Sequence, residues 1–101
     1  MNVVPNQANT ALSRAIDEVL HYLWDPMGVA GIPESRAAYT SYVPELLDLL
    51  QAQAPRRLLA AYLTQIAWNP IGVLTSEQTL DRTLDALIAW RDYCADRGGA
   101  A

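Results

Sequence analysis

The chain has 101 residues, 51% of them hydrophobic and 18% charged, enough apolar content for one core and too much for a disordered segment. A net charge of −4 and a sequence pI of about 4.6 argue against non-specific binding of nucleic acid and against an anionic membrane surface, since both need a basic face. The lone cysteine, Cys94, allows no internal disulfide and fits a reducing compartment.

Residues 1–9 read as a frayed lead without a basic run, so no secretory signal is expected there. The first helix is predicted over 10–24, capped by Asn9 or Thr10. Leu12, Ile16, Val19, Leu20 and Leu23 form its apolar stripe. It runs into Trp24-Asp25-Pro26-Met27-Gly28-Val29. Asp before Pro favours a turn, and the residue before proline is pushed out of the α region, so the helix should stop at the Trp. Gly28 can take a positive φ, and Trp24 offers a large apolar plug for the core.

Asp25 to Thr40 is the least regular stretch, with two prolines and two glycines. The second helix is predicted over 41–52, with Val43, Leu46, Leu47 and Leu50 facing inward. Pro44 sets its start. In a helix interior proline costs about 3 kcal/mol, but in the first turn its missing N–H is no loss, so Thr40 or Ser41 is the expected cap. The rival is a kinked helix from Glu34, with which Tyr39, Tyr42 and Val43 are in phase. With the cap at 40 or 41, residues 25–40 form a long connection with room for one short helical turn. Connections beyond about 12–15 residues are uncommon and often functional.

The third helix is predicted over 55–67, with Pro55 at its first position and a stripe of Leu59, Tyr62, Leu63 and Ile66. It ends at Trp68-Asn69-Pro70-Ile71-Gly72-Val73, the first hexapeptide with Asn for Asp and Ile for Met. Thr75 and Gln78 read as a capping box for a fourth helix over 76–96. That helix should bury Leu80, Leu84, Leu87, Ile88, the stem of Arg91 and Cys94, keep Trp90 on its flank and stop at Gly98-Gly99. The recurring hexapeptide predicts one helix–turn–helix unit written twice. The expected fold is all-α: a single domain, a four-helix bundle of two similar halves that superpose, with both Trp24 and Trp68 buried.

No constellation reads as catalytic. Ser13, Asp17 and His21 have the residue types of a hydrolase triad, but Asp sits in the middle and Ser13 and His21 would stand about 12 Å apart along the axis. An Asp17–His21 surface pair is the expected arrangement. His21, Asp17, Glu18 and Asp25 lack metal-motif spacing, and the second half has Gln65 and Asn69 where a repeated site would need ligands. No metal, cofactor or catalytic residue is therefore assigned, and Cys94 is expected to be a buried structural thiol. The unusual feature is acidic: Glu77, Asp81, Asp85, Asp92 and Asp96 share one face of the fourth helix. Like charges four residues apart cost about 0.2–0.5 kcal/mol each; the plain reading is an ordinary solvated face, and the functional one is a docking surface for a basic partner.

At Trp24-Asp25-Pro26-Met27-Gly28-Val29 and Tyr39-Thr40-Ser41-Tyr42-Val43-Pro44 the chain resembles a group of small bacterial helical proteins with a Trp-Asp-Pro-x-Gly turn. The resemblance covers the first half, departs at Asn69, and implies a helical fold without implying an activity. Two readings of function follow. One is a non-enzymatic protein-interaction module, of inhibitor or immunity type, that meets a protein partner through its acidic face. The other is a small-molecule binder or enzyme with a pocket under the 25–40 loop, lined by Trp24, Asp25 and Tyr39. No stretch approaches the ~20 apolar residues that cross a bilayer, so a soluble, cytoplasmic protein is expected, with no nucleic-acid or membrane partner and with self-association left open.

Overall fold

The structure, a computed structural model, describes residues 7–99; the frayed lead read over the first residues lies largely outside them. Every regular element among the described residues is helical. Helix α1 spans Gln7–Glu18 and passes into a wider π-helical turn, Val19–Trp24. Short 3-10 turns at Pro33–Ser35 and Thr40–Tyr42 lead to α2, Val43–Gln51. Helix α3, Arg56–Ile66, runs into a second wide turn, Ala67–Ile71, and α4 covers Glu77–Gly99. No helix among the described residues is long and apolar enough to cross a membrane.

The stripes form the core as their spacing requires. Leu12, Ile16, Val19 and Leu20 are buried with Val43, Leu46 and Leu50 of α2, Leu59, Leu63 and Ile66 of α3, and Leu84, Leu87 and Cys94 of α4. α4 has 23 residues, about 35 Å of helix, close to the molecule's longest extent of 40 Å. It packs along α1 and also meets α2 and α3.

Helix ends follow turn chemistry with local corrections. Pro44 lies in the first turn of α2, after the 3-10 turn, so the kinked helix from Glu34 does not form. Neither Thr40 nor Ser41 caps α2: its first residues carry no side-chain cap, and the Thr40 hydroxyl donates instead to Asp17 at 3.2 Å. The capping box shifts by one residue. Ser76 Oγ accepts the Thr79 N–H at 3.1 Å, the cap-to-N3 bond expected of Thr75 and Gln78. Gly98 and Gly99 do not stop α4, which includes both.

The two Trp turns take different backbone paths, against the expected superposition. Asp25 is left-handed, with φ 34° and ψ 61°. Asn69 at the matching position is extended, with φ −148° and ψ 114°, the ordinary conformation before proline. Only the glycines agree: Gly28 at φ 67° and Gly72 at φ 84° both use the left-handed region.

Candidate functional site

The first turn is a sealed lock. The Asp25 N–H donates to the Leu20 carbonyl five residues back, at 2.9 Å, which widens the last turn before Pro26. A left-handed, non-glycine residue before proline is strained, and such strain persists only where the surroundings hold it. Here three bonds hold it. The Asp25 carboxylate accepts the Val29 N–H at 2.8 Å, the Ala30 N–H at 3.0 Å and the Tyr39 hydroxyl at 2.8 Å. The Tyr39 oxygen in turn accepts the Met27 N–H at 2.9 Å. Tyr39 also sets its ring against Trp24, with centroids 5.5 Å apart at 67°. The ring and the indole are both buried, Trp24 to 2% exposure.

This geometry is chemically quiet. Burial pushes the Asp25 carboxyl up, but the N–H of Val29, the Tyr39 hydroxyl and the N–H of Ala30 outweigh it and hold the acid below its ordinary value. Burial first, and the bond to Asp25 with it, pushes the Tyr39 hydroxyl up to about 12. Near neutral pH one is ionised, the other keeps its proton, and each is committed to its partner. The expected pocket lined by Trp24, Asp25 and Tyr39 is not open: the three side chains meet, but they bond and pack against one another.

His21 does not form the expected surface pair with Asp17. It is buried within the π turn, edge-to-face on Tyr22 at 4.5 Å. Asp17 instead pairs with Arg36 at 3.1 Å, and that guanidinium stacks on the Tyr22 ring at 5.3 Å. His21 Nδ1 and Trp24 Nε1 are buried without a hydrogen-bond partner among the described residues. No three His, Cys, Asp or Glu side chains among those residues gather to hold a metal ion. Cys94 is buried, and burial pushes its thiol up, away from the reactive thiolate.

The second turn is open, which corrects the expectation that Trp68 is buried. Trp68 is 66% exposed, and Val73 and Leu74 beside it are exposed too. The cause is connection length. Trp24 is covered by a chain that leaves at Asp25 and returns at Tyr39; after the second turn only residues 72–76 precede α4, too few to double back over Trp68. The Val73 N–H bonds the Ala67 carbonyl at 2.7 Å, pinning the loop close to its own helix. From Leu58 to Ser76 the chain carries no charged residue and no histidine. That charge-free run was legible in the sequence; the missing cover was not.

The acidic face is partly neutralised within the chain. Arg56, at the start of α3, reaches across to Asp85 at 2.8 Å and to Asp81 at 3.5 Å. Arg91 bonds Asp92 at 3.0 Å. Glu77 and Asp96 are exposed and make no ion pair among the described residues. Sequence reasoning missed Arg56, because nothing local ties position 56 to positions 81 and 85. No family model, curated protein or solved structure matches this chain.

Proposed function

We propose that this chain is a non-enzymatic protein-interaction module. In this reading its four helices form a bundle of two diverged halves, the first turn kept as a structural lock and the second opened as a contact. The observation that carries it is the 66% exposure of Trp68 where the same hexapeptide buries Trp24. An exposed Trp flanked by Val73 and Leu74 is what interface anchors are made of, because a large, stiff apolar side chain gains most when a partner covers it. The partner is a protein that offers an apolar pocket. The net charge of −4 favours a basic one, steered in by the uncompensated carboxylates of α4. An inhibitor or immunity type of action, in which docking blocks the partner, suits such a scaffold. The lock at Asp25 supports this over a small-molecule pocket, since Trp24 and Tyr39 are buried and the Asp25 acceptors are already used.

The test is paired affinity capture from the source cells with the wild-type chain and Trp68→Ser. A protein retained by the first and lost with the second, at equal melting temperatures, is the expected result. Identical retention by both chains would overturn the assignment of the second turn.

A further inference from the structure

The closed first turn carries local costs that its bonds must outweigh. Asp25 is left-handed at φ 34° although a proline follows it, a strained combination. His21 Nδ1 and Trp24 Nε1, both in the π turn that ends there, are buried without a hydrogen-bond partner among the described residues. A polar atom that loses water and bonds nothing destabilises the state that buries it. These costs fall on one turn, and water would relieve all of them together if that turn opened.

A relaxed path for the same hexapeptide exists in the same chain. Asn69, at the position of Asp25, is extended, the conformation a residue before proline prefers, and Trp68 is 66% exposed. That path closes without side chains, because the Gly72 and Val73 N–H groups both donate to the Ala67 carbonyl. Gly28 and Val29 stand in the same register to Leu23, so the first turn has the matching donors and acceptor. Gly28 is already in the left-handed region that Gly72 uses. What holds the first turn on its strained path is the Asp25 carboxylate, which accepts from Val29, Ala30 and Tyr39. An Asn side chain has one acceptor oxygen where Asp has two.

We infer that the first turn is a two-state latch. In the open state residue 25 takes the extended path of Asn69, and the Val29 N–H passes from the Asp25 carboxylate to the Leu23 carbonyl. The chain from Pro26 to Tyr39 then lifts off as a cover, and Trp24 stands in solvent beside the same Pro-x-Gly turn that displays Trp68. The latch thus decides whether the chain shows one such tryptophan or two. Openings of this kind are local, cost less than unfolding and involve segments tied down by few bonds. The inference concerns the cover and does not depend on the role given to Trp68.

Hydrogen exchange followed by NMR on the nitrogen-labelled full chain reads this opening. The Trp24 indole N–H is buried, and the Ala30 N–H is held by the Asp25 carboxylate. Their protection factors should agree within about threefold, lie at least about tenfold below those of the Leu50 and Leu63 amides, and depend little on urea. Leu50 and Leu63 are fully buried core residues of α2 and α3. Asp25→Asn, which gives the first hexapeptide the Asn of the second, should lower both factors about tenfold or more. Pro26→Ala, which frees residue 25 from the proline after it, should raise both about threefold. Trp24 and Ala30 exchanging only together with the core, unchanged factors in Asp25→Asn, or readier opening in Pro26→Ala would each overturn the inference.

Discussion

Trp24→Ala and Trp68→Ala, made in separate chains, should differ in stability by about 3 kcal/mol although the two tryptophans share their local sequence. Trp24 is 2% exposed and stacks edge-to-face on Tyr39 at 5.5 Å. Truncating it loses the transfer energy of the indole, leaves a cavity in the core and unseats the ring that bolts the 25–39 loop. Large-to-small changes of this kind cost about 3–5 kcal/mol. Against a typical stability of about 5–15 kcal/mol, the variant would be close to unfolding, its melting temperature lowered by about 12 °C or more. Trp68 is 66% exposed and gives up little buried surface, so its loss should cost below about 1 kcal/mol. Urea titration followed by far-UV circular dichroism measures both, with equal slopes expected for the two transitions. Equal costs, or a Trp68→Ala cost above about 2 kcal/mol, would mean that turn chemistry, and not cover, decides burial.

Tyr39→Phe should cost about 1–3 kcal/mol in the same titration, because the Met27 N–H loses its acceptor and Asp25 loses a donor; no change would mean that the hydroxyl is not part of the lock. The depressed acid of Asp25 contributes stability that is complete above its unfolded value of about 4 and is lost as pH falls through the folded one, so the gap between wild type and Asp25→Asn should close below about pH 4. Tyr39 and Tyr62 are both raised to about 12. Their contribution is complete below about pH 10 and is lost as pH rises towards 12, so melting temperatures should fall over that window, less steeply in Tyr39→Phe. Asp81→Asn with Asp85→Asn relieves like-charge repulsion but strips Arg56 of both partners. The melting temperature should therefore move by less than about 3 °C, and a clear rise would show that repulsion dominates.

What could be read from the sequence was local. The stripe through Leu12, Ile16, Val19 and Leu20 is buried as its spacing demands, and helical geometry breaks at Asp25 and at Asn69, each the residue before a proline. Trp24, Asp25 and Tyr39 are expected as the lining of a pocket under the 25–40 loop; instead Asp25 and Tyr39 are bonded to each other at 2.8 Å and the Tyr39 ring packs on Trp24. What failed was tertiary. Trp68 has the neighbours of Trp24 in sequence but not the returning chain that covers it. His21 is expected at the surface beside Asp17, yet it is buried in the widened turn against Tyr22 and Tyr39. Arg56 compensates Asp81 and Asp85 from another helix, a contact that no i,i+4 rule contains. The shift of the cap from Thr75 to Ser76 is of a smaller kind, two adjacent hydroxyl residues of nearly equal capping strength.

Direct contact between the second turn and a partner can be tested at atomic range by site-specific photo-crosslinking. A photoreactive phenylalanine analogue placed at position 68, at the exposed Ala61 as a surface control, and at the buried Leu63 as a core control would be irradiated in extracts of the source cells. One discrete crosslinked protein is expected from position 68, absent from both controls and competed away by unlabelled wild-type chain but not by Trp68→Ser. Crosslinks that are the same at 61 and 68, or that Trp68→Ser competes as well as wild type does, would contradict it.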